Sequence, residues 1–371
     1  MPAHRMNRLF MSFALAAAAF MVSAACLQAN AQGTKIQKYV KVTANDKQAA
    51  QDATNSSFHG RAAHIAGAHA AMTKLNAKQQ ARPSGEALAG FDKSGDDGDH
   101  DRHRGILPYF PSDVQYGLGP VLATSTQHAI YVNLVGTVAD NWGDPEGYLS
   151  DVSDSRFIHI TDQYVDSRAD DRYPVGGNAE VNITPDNTTV PNEISLTQVF
   201  EIAHAAGAVY GTGGAHVYHI FLPKGTNTCI EGGGTPVPCY DPGLGLGNFD
   251  FCGYHGWVEF TDIGIVLFTM EPYQNVVGCQ EAPPNPNGAV EDSTNGTLGH
   301  ELFETITDPI GPTGWTNQRN DSNLGAEIGD ECEIVANAFG QIPDPSFRIN
   351  GKLYQSQAEY SNESHWCSDR K

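Results

Sequence analysis

Apolar and polar positions alternate most cleanly at 216–222, where His216-Val217-Tyr218-His219-Ile220-Phe221-Leu222 runs up to Pro223. A two-residue period that ends at proline predicts a strand. His216 and His219 fall on opposite faces of it, so at most one can point at a given site. The β-branched run 129–135 before Gly136 predicts a second strand, and 156–164 reads as a further, mixed strand-like stretch. Trp257-Val258-Glu259-Phe260 and the buried-looking run 263–270 follow. Helical spacing appears at 192–206, where Leu196, Val199, Phe200 and Ala203 share a face and Ser195 and Gln198 stand at capping-box spacing. It returns at Leu298, Leu302, Phe303 and Ile306, with Ser293, Thr294 or Asn295 as the expected cap and Pro309 as the stop. Asn350-Gly351 between two short strand-like runs is a two-residue hairpin signal. Strands, then a buried helix, then a loop-rich tail predict an α+β fold.

The first 105 residues break this pattern. His4, Arg5 and Arg8 precede an apolar run at 9–25, and Ala29-Asn30-Ala31 offers a small-residue cleavage site. That layout predicts a secretory signal peptide over 1–31. The run is short of the roughly 20 residues that a membrane span needs, and no later run is longer. Residues 32–105 are poor in large apolar side chains. They read as a disordered segment or pro-region and linker, with a loose helix near its start. His59, His64, His69, His100 and His103 within it read as solvated. The folded domain is expected over 106–371.

Formal charge is −21, and loss of Arg5 and Arg8 with the signal makes it −23. Such a surface repels nucleic acid and anionic membrane. Without Cys26, six cysteines remain, an even count that predicts three disulfides in an exported chain. Proximity favours Cys229–Cys239, Cys252–Cys279 and Cys332–Cys367. No Cys-x-x-Cys pair supports a thiolate metal site.

The second helix carries the chemistry. His300 and Glu304 are four residues apart and therefore stack on one face, with Glu301 beside them. His-Glu-x-x-His metallopeptidases hold zinc with the i and i+4 side chains and use the intervening Glu as base. Here Glu304 replaces the second His. A hydrolytic zinc needs a third protein ligand, for which Glu327 ranks first and Asp330 second. Asp330 could instead orient His300 through its other ring nitrogen. Glu301 is expected to act as general base on metal-activated water, and His255 or Tyr254 to stabilise an oxyanion. Asp308 reads as a polar helix end. One histidine among carboxylates is also an oxygen-rich set, so a structural Ca2+ competes with Zn2+.

Several of these strings resemble, in the same order, the EXORDIUM-like (phosphate-induced protein) family of secreted proteins: Val217 to Leu222, Cys252-Gly253-Tyr254-His255, His300-Glu301-Leu302-Phe303-Glu304 with Thr307-Asp308-Pro309, Glu327 to Glu333, and Asn350-Gly351. Asp308 departs from the family's Asn, and the 229–250 loop is longer. The resemblance implies an exported protein and supports His300, Glu301, Glu304, Glu327, Asp330 and His255 as one site. It carries no established reaction. The expectation is a zincin-like, secreted or periplasmic zinc peptidase-like hydrolase acting on a peptide or protein. The alternative is a non-catalytic extracellular protein with a structural metal. Oligomeric state is not legible.

Overall fold

Runs of β-branched and aromatic residues build a mixed sheet of eight strands: β1 (Lys38–Lys41), β2 (Ala62–Ala66), β3 (Thr124–Val132), β4 (Tyr173–Val175), β5 (Val181–Thr184), β6 (His216–Phe221), β7 (Gly253–Phe260) and β8 (Gly264–Glu271). Their order is β1-β5-β3-β6-β8-β7-β2, with β4 also paired to β3. The β7–β8 and β7–β2 pairs are antiparallel and the others parallel. This computed structural model describes residues 38–55, 62–66, 113–132, 142–153, 155–165, 173–175, 181–184, 193–231, 237–244, 250–319, 325–338 and 344–371.

Side-chain alternation gives the sheet two different faces. On one, Ile130, Val132, Tyr218, Ile220, Tyr254, Phe268 and Met270 pack with Ala50 of helix α1 (Ala44–Asn55) and with Val199, Phe200 and Ala203 of a later helix. On the other, Ala129, Tyr131 and Phe221 join Leu149 of α2 (Pro145–Ser153) and Leu298, Leu302, Phe303 and Ile306 of the helix at 289–307. A parallel sheet covered on both faces in this way needs nearly continuous apolar strands. Polar exceptions occur on both faces: on the first, His128 Nε2 meets His216 Nδ1 at 3.0 Å beside the Tyr218 ring, and those on the second are described below.

Helix α3 (Leu196–Tyr210) starts at the expected capping box, with Ser195 accepting from the Gln198 amide and Gln198 from the Ser195 amide. Helix α4 (Ala289–Thr307) begins earlier than its expected caps. Gly288, at φ 99°, precedes it, while the Ser293 and Thr294 hydroxyls donate back to the Ala289 and Val290 carbonyls inside the helix. The mixed stretch at 156–164 is a short 3-10 helix, Ile158–Gln163, and not a strand. Its Ile158 and Ile160 sit at the two-residue spacing of a strand, yet both are buried within a single turn.

Part of the segment read as linker belongs to this unit. β1 and β2 pair with β5 and β7, and α1 lies on α3, tied by His204 Nδ1 to Asp46 Oδ1 at 2.7 Å. His64, read as solvated, stands opposite His255 in register. The signal-peptide residues and 67–105 lie outside the described residues.

The three disulfides pair as expected: Cys229–Cys239, Cys252–Cys279 and Cys332–Cys367. The last one ties helix α5 (Ile328–Ala338) to the C-terminal strand Trp366–Ser368. Asn350 (φ 48°) and Gly351 (φ 88°) turn the hairpin Ser346–Ile349/Lys352–Gln355. Among the described residues no helix is long and apolar enough to cross a membrane.

Candidate metal centre

Helix α4 packs on the second face of the sheet against the β7–β8 hairpin, and α5 packs against α4. Helical spacing places His300 above Glu304, with His300 Nε2 3.2 Å from Glu304 Oε1. The start of α5 brings Asp330 to the same nitrogen, its Oδ1 3.7 Å away. One ligand atom from each of His300, Glu304 and Asp330 lies within 4.8 Å of the other two. Ligand distances of about 2.0–2.2 Å put neighbouring ligand atoms about 3–4 Å apart, so this group fits a single cation.

The remaining contacts set its orientation. The amide of Asp330, one of the unsatisfied donors in the first turn of α5, reaches Glu304 Oε1 at 3.1 Å. Asp330 Oδ2 accepts from the Glu327 amide at 3.2 Å. His300 Nδ1 faces Gln357 Oε1 at 3.3 Å, and Gln357 donates to the Gly329 carbonyl at 2.6 Å. Gln357 therefore holds the ring with Nε2 turned inward, the role expected of Asp330. Asp330 instead faces Nε2. Sequence reading missed Gln357, which lies in no motif.

Glu327, ranked first as third ligand, sits elsewhere. Its Oε2 is 3.0 Å from His255 Nε2, and its carboxyl group adjoins Asp308. His255 Nε2 is also 3.7 Å from Glu304 Oε2. His255 is thus held among carboxylates. Tyr254, the other expected oxyanion donor, points to the opposite face, its ring edge-on to Phe251 at 5.4 Å. Asp308 does end α4, and its Oδ1 accepts from the Thr313 and Gly314 amides at 3.1 and 2.7 Å.

Glu301 is fully buried, and neither of its oxygens has a hydrogen-bond partner. Burial first, then the charges of Glu304, Glu271 and Asp330, push its carboxyl well above the usual range, with His300 alone opposing. Glu327 is raised well above that range by burial and by Glu304, Asp308 and Asp330. Glu359, fully buried with both oxygens unpartnered, is likewise raised by burial and then by Glu304 and Asp330. Burial lowers His300, but Glu304, Glu301 and Asp330 outweigh it and raise the imidazole well above its ordinary value. A buried carboxylate is stable only if paired, protonated or bound to a metal. So many of them around two imidazoles make a site chemically suited to a cation.

Under α4 the sheet carries a polar row that no sequence motif marked. His219 Nε2 lies 2.7 Å from Gln127 Oε1, and its Nδ1 lies 2.8 Å from Thr269 Oγ1, which is 2.7 Å from Glu271 Oε1. Burial pushes Glu271 up to about 8 and His219 down to about 3. A protonated Glu271 and a neutral His219 avoid burying charge in this row. The Thr269 hydroxyl donates to Glu271 Oε1, and the neutral His219 ring bridges Thr269 and Gln127. Of the histidines in the β6 pattern, His219 is the one on this face.

No known protein family, curated protein or solved structure matches this chain.

Proposed function

We propose that this chain is a secreted, metal-dependent peptidase-like hydrolase of zincin-like build. The observation that carries the reading is Glu301: a buried carboxylate with both oxygens free of hydrogen bonds, next to the His300–Glu304–Asp330 group. Zn2+ is the metal that the His-Glu-x-x-Glu helix favours, and when bound it supplies Lewis-acid polarisation. His300, Glu304 and Asp330 hold it. Glu301 takes the proton from an attacking water and delivers it to the leaving amine of a peptide. Gln357 fixes the ring of His300 while this happens. Three disulfides and the signal-peptide layout support export, as does the resemblance to the EXORDIUM-like family.

A second reading has its own observation. His255, His300, Glu301, Glu304, Glu327 and Asp330 are all buried, Asp330 being the most exposed at 8%. A site closed this tightly suits a structural Zn2+ or Ca2+ in a non-catalytic extracellular protein. The two readings separate on Glu301, because a structural site needs no free base. The test is metal content by elemental mass spectrometry for the mature protein, Glu304→Ala and Glu301→Gln, alongside hydrolysis of a peptide library. Bound zinc lost in Glu304→Ala and retained in Glu301→Gln, with hydrolysis abolished by both, supports the hydrolase. Retained zinc with no hydrolysis by the wild type favours the structural reading. No metal in any of the three refutes both.

A further inference from the structure

Glu304 divides its two oxygens between two histidines, Oε1 towards His300 at 3.2 Å and Oε2 towards His255 at 3.7 Å. His255, Glu301 and Glu304 form a second group whose ligand atoms lie within 4.8 Å of one another, and all three are buried. We propose that this group is a second divalent-cation position, with Glu304 bridging the two. The proposal rests on the first position being a metal site and adds a ligand role for His255 and Glu301.

Three observations converge on it. Glu304 Oε2 has no hydrogen-bond partner, and neither do the two oxygens of Glu301, so buried acceptor capacity remains once the first position is filled. The separation of Glu304 Oε2 from His255 Nε2 is that of neighbouring ligands on one ion. A carboxylate bridging through both oxygens sets two cations about 3.5–4 Å apart, the spacing of two-metal hydrolytic centres. Crowding argues the same way: Glu301, Glu304, Glu327 and Asp330 are buried together, and a buried carboxylate is stable only if paired, protonated or bound to a metal. Glu327, 3.0 Å from His255 Nε2, stands ready to follow the imidazole onto the same ion.

The second position also has a functional consequence. A cation held by Glu301 occupies the oxygens that the hydrolase needs as base, so the first equivalent of zinc activates and the second inhibits. The two positions differ in donors: the first has a helix N-terminus reinforcing Glu304, and the second recruits the otherwise unpaired Glu301. The second is expected to be the weaker.

The test is equilibrium dialysis of the full-length, chelator-stripped mature protein against rising Zn2+, with bound zinc read by elemental mass spectrometry. Wild type should saturate at two zinc ions per chain. His255→Ala and Glu301→Gln should each saturate at one under the same conditions. Zinc-edge X-ray absorption on the saturated wild type should show a zinc–zinc vector, absent in both variants. Saturation at one ion overturns this inference and leaves the hydrolase reading intact, whereas no bound zinc overturns both. Two ions retained by a folded Glu301→Gln also overturn it, even if His255→Ala fails to fold.

Discussion

Glu271 gives a quantitative test of how much the buried acids cost. The side chain lies on the polar face of β8, fully buried, with Oε1 2.7 Å from Thr269 Oγ1 and Oε2 unpartnered. Its carboxyl is raised from 4.5 to about 8, by burial against the opposing Thr269 hydrogen bond and His300. The folded protein therefore holds a proton that the unfolded chain gives up above pH 4.5. The contribution of this group to stability is complete below about 4.5, declines through the window above it, and is gone once pH passes about 8. At pH 7 the proton costs about 3 kcal/mol of stability, and at pH 5 under about 1 kcal/mol. Glu271→Gln imitates the protonated acid and keeps a carbonyl oxygen where Glu271 Oε1 accepts from the Thr269 hydroxyl. Metal-free Glu271→Gln should therefore melt roughly 6–10 °C above wild type at pH 7 and within about 3 °C of it at pH 5. Scanning calorimetry of chelator-treated protein at the two pH values measures this. With zinc bound, the cation favours the ionised acid and the gain should shrink. A pH-independent gain, or a loss at pH 7, would mean that Glu271 is an ionised partner in a pair and would refute the reasoning.

Three further outcomes follow from the same geometry. A Cβ on Gly253 would stand 2.6 Å from Thr297 Cγ2 and 2.9 Å from Glu301 Oε1, so Gly253→Ala should cost about 1–3 kcal/mol; an unchanged denaturant midpoint would show that α4 is not pressed onto β7. Gln357→Leu leaves His300 Nδ1 without its acceptor and should weaken the first zinc about 10–100-fold in a competition titration. Because Glu301, Glu327 and Glu359 are held above the ordinary carboxylate range, zinc binding should release protons and tighten as pH rises. Calorimetry in buffers of different ionisation heat reads that release, and the same heat in every buffer would contradict it.

The sequence was most legible where a short-range rule decides the outcome. Ser195 with Gln198, Asn350-Gly351, and the alternation ending at Pro223 each specify a local geometry, and each forms. The i, i+4 spacing put His300 above Glu304 for the same reason. What escaped depends on the path of the chain. Gln357 meets His300 because a C-terminal hairpin folds back over α5, and Glu327 meets His255 because α5 packs against α4 and brings the residue before it to β7. Ranking Glu327 above Asp330 relied on sequence distance, which does not say which residue of a turn faces inward. The β1 and β2 segments were overlooked, and α1 was read only as a loose helix outside the folded domain, because their apolar residues are few. Val40, Val42, Ala50 and Ala53 nonetheless pack into the first core.

The two faces of the sheet also limit how the gene can vary. Along β6 and β8, Tyr218, Ile220, Phe268 and Met270 serve the first core, while His219, Thr269 and Glu271 at alternate positions form the polar row. Deleting or inserting one codon in either strand would exchange the two sets. His219, Thr269 and Glu271 would be driven into the layer of Tyr218 and Phe268, and those rings into the site. Core and chemistry are thus written in alternate letters of one word. Frame-preserving length changes should be tolerated in the loops and purged from these strands, whereas substitutions that keep the alternation can drift.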